Sequence, residues 1–451
     1  GGEAVRINID CGNRIIGAYN YFYEAACNWI NYNPASTDWI TRAEAIINTI
    51  TQQIRIVVID IDNHDESQII FETLNARGTA LLEVDLVKNY LFRAASDEKH
   101  DINKLYADYW LPFEKEDRFW RTPISVGRQS RERIEVFLQH YISMQTKKTV
   151  QSEKLFDTYK EWDIGMTGDT YDWHLRQLAE YGGHYKSFVN SPVNTPEGDF
   201  FQRIDALETT TVYPFLLWVY EKTKSAAERT ARYEIFRIIE SYLIRRMICG
   251  LTTKNYNHIF LDIITALKDC QPEQLPSATG KYLTQSDAES SLFPNDEKFK
   301  DAWLNRELYR SIKRARLVMV LKAIESNIVN NKTEDIPIPS RLTVEHVMPQ
   351  DWEDYWNLEK LPDESPEVFM ERRNMRSHMI QTIGNLTLAT QPLNSGMSND
   401  PFGDKKKELL LHSKLKMNIE LAEYPSWSEV EILKRAERLW GIASKIWAYP
   451  A

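Results

Sequence analysis

Leu342-Thr-Val-Glu-His-Val-Met-Pro-Gln350, followed by Ile383-Gly-Asn-Leu-Thr-Leu388 and then Pro392-Leu-Asn394, is the set of stretches that decides the fold of the C-terminal third. The first stretch has the period of a β-strand: Leu342, Val344 and His346 fall on one face, and Thr343, Glu345 and Val347 on the other. Pro349 has no amide proton to give a ladder and ends it. The second stretch is apolar and β-prone, with Gly384 near its start. Pro392 then opens a short helical pattern at a position where proline is tolerated. The expected unit is strand, strand, helix.

With Glu345-His346 and Asn394 on it, this unit resembles the active site of an HNH nuclease, which implies phosphodiester cleavage. That reaction needs a nucleophile made from water and a cation beside the leaving oxygen. A neutral histidine accepts the water proton near pH 7. A carboxylate and an amide oxygen are hard ligands that suit Mg²⁺, an ion that keeps several waters and also takes substrate phosphate. His346 is therefore read as the general base, with Glu345 and Asn394 holding Mg²⁺ or Mn²⁺. Asn385 pins the hairpin and orients His346 through its amide. Asn399 is the alternative to Asn394 as ligand, and otherwise a DNA contact. Each piece alone is ordinary, since Glu-His near a strand end is commonly structural and Gly-Asn is commonly a turn. The ordered set carries the reading.

In this set, residues 336 to about 415 resemble the C-terminal HNH nuclease domain of the GmrSD-type restriction enzymes. The matching positions are Glu345-His346, Gln350, Gly384-Asn385-Leu386, Asn394, Ser398-Asn399, Phe402 and Lys405-Lys406, with Val347 where the pattern has Ile. The Asn385-to-Asn394 spacing is also similar to the HNH module of RNA-guided nucleases. The resemblance implies a ββα-metal site, a DNA substrate, and attack on modified or phage DNA.

A second block, Ile70-Phe-Glu-Thr-Leu-Asn-Ala-Arg-Gly78 before Leu81-Leu-Glu-Val-Asp85-Leu-Val-Lys88, resembles the end of the ParB-like N-terminal domain of the same enzymes. It implies a nucleotide or regulatory role for Asn75, Arg77, Asp85 and Lys88, and a nucleoside triphosphate as a ligand of the intact protein. From the residues alone, Asn-x-Arg-Gly is a loop and Asp85 and Lys88 decorate a helix. The Asp-Gly-Gln-Gln-Arg motif of that domain is absent from this sequence. The expectation is a truncated sensor remnant, its opening Gly-Gly an expression scar. Ser241-Tyr-Leu-Ile-Arg-Arg246 and Phe293-Pro-Asn-Asp296 are further landmarks similar to the family.

At 451 residues the chain exceeds one core, and two or three domains are expected. The organisation read from pattern is mainly α with small α+β parts. Residues 1–97 form the partial ParB-like region, 98–335 a helical middle domain, and 336–451 the nuclease with a terminal helix. Helices are expected over 12–52 (two), 83–96, 131–143, 232–249 and 301–325, and a strand over 53–60. Loops are placed at Tyr181-Gly-Gly183, at 191–196 and at 271–280. Ser428-x-x-Glu431 is a capping box for a last helix ending about Trp447.

A net charge of −10 disfavours nonspecific wrapping of nucleic acid, so DNA contact falls to local patches. Lys405 and Lys406, with Lys407, Lys414 and Lys416, are the favoured patch because they follow the metal-site helix. Arg372-Arg373 with Arg376, and Lys313-Arg314 with Arg316, are read as solvated faces. Trp352 and Trp356 are read as core rather than base-stacking rings, and the histidines other than His346 as structural or surface residues. No apolar run reaches membrane-spanning length, and four scattered cysteines without a Cys-x-x-Cys pair fit a reduced cytoplasm and a nuclease without a zinc staple. Two functions compete. One is a metal-dependent DNA endonuclease or nickase of anti-phage restriction. The other is a helical sensor or scaffold whose nuclease site is silent without a partner or further N-terminal segment.

Overall fold

The computed structural model describes residues 14–55, 82–115, 118–127, 129–166, 170–328, 338–339, 341–353 and 355–450. They divide between two compact units, Gly1–Ala80 and Leu81–Ala451. In the first unit, helices Arg14–Ile30 and Asp38–Asn48 match the pair expected over 12–52, and the second continues into a wider helical turn, Thr49–Gln53. Gln53 closes that turn instead of opening a strand. Residues 56–60 of the expected strand, and the loop carrying Asn75 and Arg77, lie outside the described residues.

The second unit is mainly helical, and its described residues hold two small antiparallel sheets of two strands each. Mainly α with small β parts is thus the observed class. Helix Glu83–Asp97 shows how pattern becomes packing: Val84, Val87, Leu91 and Ala95 form one stripe, and all four are fully buried. One apolar core runs from Val84 through the helices to Trp447 and takes in Val344, Leu386 and Leu388 of the C-terminal hairpin. A second cluster, including Val347, Met348, Trp352, Trp356, Phe402 and Trp427, covers the other side of that region. Both tryptophans are therefore core residues, as read.

Helix Arg229–Ile248 is buried nearly all round, so its polar groups must find partners inside. Arg245 donates to Trp447 O (2.7 Å), Pro294 O (3.0 Å) and Asp296 Oδ1 (2.6 Å). Arg246 donates to Thr252 O and Leu292 O, both at 2.6 Å. The two sequence landmarks therefore meet, and their guanidinium groups join this helix to the loop at 292–296 and to the C-terminal end.

Three expectations are corrected. Tyr181-Gly-Gly183 does not break the chain but lies inside helix Tyr171–Asn190. A Cβ on Gly182 would come within 2.8 Å of the Phe113 ring, so the glycine serves close packing. Residues 272–284 are mostly helical, with Leu275–Thr284 passing through Gly280 against Pro450. The long helix over 301–325 is three pieces, Asp296–Asn305, Leu308–Ser311 and Arg314–Asn327. No proline or glycine marks those breaks. Tertiary bonds impose them: Arg306 gives its guanidinium to Met247 O (2.9 Å) and Ile248 O (2.6 Å), and the Tyr309 amide gives its proton to Gln381 O (3.0 Å).

Helix Glu429–Ile446 begins at the expected capping box of Ser428 and Glu431. It packs on the hairpin, where Arg435 Nη1 donates to Gly384 O (2.8 Å) and Leu386 O (2.7 Å). A Cβ at position 384 would stand 2.1 Å from Ile432 O, which only glycine avoids. No helix among the described residues is long and apolar enough to cross a membrane.

Candidate active site

Strand Thr343–His346 pairs antiparallel with Leu386–Ala389, Glu345 opposite Thr387 and His346 opposite Leu386. Helix Gln391–Met397 follows with Pro392 in its first turn. The expected strand, strand, helix order is present. Asn394 Nδ2 donates to Thr343 Oγ1 and Val344 O, both at 3.1 Å, tying the helix to the strand. With the nitrogen engaged there, Oδ1 is the end of this amide suited to an ion. Glu345 leaves the strand on the Thr343 side, because alternate strand residues share a face. Glu345 and Asn394 are therefore brought to one side of the strand, and His346 leaves it on the other.

Glu345 is buried, and the Lys405 ammonium donates to its Oε1 at 2.6 Å and to His346 O at 2.9 Å. Burial raises the Glu345 pKa, and the Lys405 charge and hydrogen bond oppose that rise. The lysine, itself 1% exposed, is held below its ordinary pKa by burial, with Glu345 opposing. Mutual attraction in this poorly solvated place offsets part of the cost of burying the two groups.

His346 is 7% exposed, and its Nε2 is buried without a hydrogen-bond partner. Its pKa is pushed down to about 4, first by burial, with Gln381 opposing and the charges of Lys405, Arg314 and Arg310 adding to the fall. The imidazole is thus neutral at pH 7, with a ring nitrogen free of other duties. Its ring meets Tyr309 edge-on, centroids 4.1 Å apart at 67°. Arg314 lies over the other partner of this stack, 3.2 Å from the Tyr309 centroid. The sequence reading missed Tyr309, because it placed that residue inside one continuous helix.

Asn385 is fully buried and makes a closed set of bonds. Its Nδ2 donates to Met348 O (2.8 Å) and Ile380 O (3.0 Å), while Oδ1 accepts from Met348 N (2.8 Å) and Trp427 Nε1 (3.0 Å). It pins the hairpin end and the segment after His346. Its amide bonds run to these groups and not to the His346 ring.

The lysine patch needs correction. Phe402, Lys405 and Leu409 form the buried stripe of helix Phe402–His412, which turns Lys405 inward to Glu345 instead of out to phosphate. Lys406 reaches Tyr424 O at 3.0 Å. Lys407 remains exposed, beside Asp404 at 3.2 Å. Asn399 lies partly buried in the turn after the Asn394 helix, next to Ser398, whose φ is +35°. Arg372, Arg373 and Arg376 are each paired, with Glu364, Glu353 and Glu429.

Asp85 and Lys88 sit on helix Glu83–Asp97 and are likewise engaged. Arg121 stands 3.3 Å from Asp85, and Lys88 stands 2.5 Å from Glu114. Asn75 and Arg77 lie outside the described residues.

Among curated proteins, none matches the chain. The profile described as GmrSD restriction endonucleases, C-terminal domain, matches residues 293–442, which span the hairpin, the Asn394 and Lys405 helices and most of the last helix. The profile of the GmrSD restriction endonuclease N-terminal domain matches residues 6–92. With both domains matched in order, and the Gly384, Asn385 and Arg245 joints explaining why those residue types stand where they do, the chain belongs to the GmrSD restriction endonuclease family.

Proposed function

We propose that this protein cleaves DNA phosphodiesters at the hairpin face, in restriction of modified or phage DNA. The observation that carries the reading is a strand-strand-helix unit in which Asn394 is tied to the strand that carries Glu345, with the neutral His346, its Nε2 unpartnered, the following residue of that strand. His346 takes the proton of the attacking water at Nε2. Asn394 and Glu345 offer an amide oxygen and a carboxylate, a hard donor set that fits Mg²⁺ or Mn²⁺. That ion supplies positive charge beside the leaving oxygen when bound. Lys405 holds Glu345 by one oxygen, Oε1, and so fixes the carboxylate's orientation. Asn385 keeps the turn after His346 in place.

Glu345 and His346 are both more than nine-tenths buried, which favours a second reading. In it, the site is closed in this form and the chain acts as a sensor or scaffold until a partner, modified DNA or a nucleoside triphosphate opens it. Asn75, Arg77, Asp85 and Lys88 would then belong to the controlling region. Plasmid nicking with Mg²⁺ or Mn²⁺, with His346→Ala as control, separates the two. The first reading expects metal-dependent nicking that falls by about 10²–10⁴-fold in the variant. Equal rates in both proteins would remove His346 as the base. No cleavage by the wild type on modified and plain DNA would favour the scaffold.

A further inference from the structure

A polar cleft of about 530 Å³ lies in the helical part and shares no lining residue with the hairpin face. Helix Tyr171–Asn190 contributes Glu180 and His184, four residues apart and therefore on one face. Helix Tyr213–Lys222 contributes Tyr220, with Glu221 beside it. One ligand-type atom each from Glu180, His184 and Glu221 lies within 4.8 Å of the other two. Ligands at ~2.1 Å around a tetrahedral ion stand ~3.4 Å apart, so the set closes on an ion by side-chain adjustment of roughly 1 Å.

The unmet polar atoms point the same way. His184 Nε2, Glu221 Oε2 and the Tyr220 hydroxyl are buried without hydrogen-bond partners, and Tyr220 is only 4% exposed. A buried polar group left unserved is destabilising, so these three in one place ask for an occupant. The carboxylates already surround a cation: Lys224 Nζ stands 2.7 Å from Glu180 and 2.7 Å from Glu221. The ammonium leaves the imidazole nitrogen and Glu221 Oε2 unserved. Its side chain is 44% exposed and free to swing into water. Burial holds His184 down to about 4, with Glu180 opposing and Lys224 and Arg232 adding, so its nitrogen is unprotonated at neutral pH. An anion is a poorer occupant. Arg229 and Arg232 also line the cleft and Arg232 Nε lacks a hydrogen-bond partner, but Arg232 stands 3.5 Å from Glu197 and covers the Tyr220 ring at 4.2 Å, and Lys224 is committed to two carboxylates.

We propose that Glu180, His184 and Glu221 form a second divalent-metal site, for a borderline ion such as Zn²⁺, which displaces the Lys224 ammonium and joins the two helices. One imidazole nitrogen with two carboxylate oxygens suits Zn²⁺ better than Mg²⁺, which favours oxygen alone. The Tyr220 hydroxyl donates to the water that completes the coordination. The site is independent of the nuclease reading, since none of its residues belongs to the hairpin face.

The test is Zn²⁺ binding by the metal-stripped full chain, measured by equilibrium dialysis and by the visible bands of Co²⁺ in its place. The Glu345→Ala protein is expected to keep this ion, which separates it from any ion at the nuclease face. His184→Ala and Glu221→Gln are expected to weaken binding at least tenfold. Lys224→Met is expected to tighten it, because the competing ammonium is gone, and a damaged fold cannot mimic that gain. Unchanged affinity in a folded His184→Ala protein, or no gain in Lys224→Met, would overturn the proposal.

Discussion

Lys405 and His346 set what single substitutions should do. Removing one partner of a buried ion pair leaves the other charge uncompensated, which costs on the order of 3–5 kcal/mol. Lys405→Ala is therefore expected to lower stability by about that much in urea titrations, and to leave the salt dependence of DNA binding unchanged. A lysine in contact with phosphate would instead cut the salt slope by about one unit. On the proposed role of His346 the neutral form accepts the proton, and burial pushes its pKa down to about 4. The acid limb of kcat/KM for cleavage should thus lie near pH 4. A limb near 6.5 would mean the imidazole is solvated in the competent enzyme. The placement of the candidate residues was legible at this scale: alternation along the strand separated Glu345 from His346, and Pro392 placed the Asn394 helix. Lys405 was misread because three adjacent lysines look like surface charge, although its spacing to Phe402 and Leu409 marks the buried stripe.

At the scale of elements, the hairpin depends on what packs behind it. Arg435 is buried, and its bonds to Gly384 O and Leu386 O join the last helix to the second strand. Arg435→Ala leaves two carbonyls without this donor and opens a void, and is expected to destabilise by on the order of 3 kcal/mol. Faster proteolysis within 383–397 than within Arg229–Ile248 would localise the effect. Equal protection would place the helix's grip elsewhere. Helices with an apolar stripe or a capping box, such as Glu83–Asp97 and Glu429–Ile446, were legible in the sequence. The breaks at Arg306 and near Ile312 were not, because carbonyls distant in sequence draw Arg306 and the Tyr309 amide out of a pattern that is locally helical.

The molecule as a whole offers two measurements. The core that begins at Val84 includes the hairpin's Leu386 and Leu388, so the helical part and the nuclease should unfold together. Fluorescence and far-UV dichroism of the Leu81–Ala451 unit are expected to give coincident transitions, and separated midpoints would show that the interface is weak. Acid should be costly. His140 and His346 are both pushed down to about 4 by burial. Between that value and ~6.5, the unfolded chain binds protons that the folded chain refuses, so stability falls as pH falls. The loss is on the order of 3 kcal/mol per histidine by pH 4 and is absent above pH 7.

The grip of Arg435 on the second hairpin strand also sets an order of manufacture. A chain emerging from the ribosome exposes Glu345, His346 and Asn394 well before the helix that holds their hairpin. Until Arg435 arrives, the carbonyls of Gly384 and Leu386 lack their partner, and Ile383 and Leu386 lack their cover. On the proposed function, the nascent chain therefore carries Glu345, His346 and Asn394 before it has the geometry to use them, and cleavage should begin only once the last helix has packed on the hairpin.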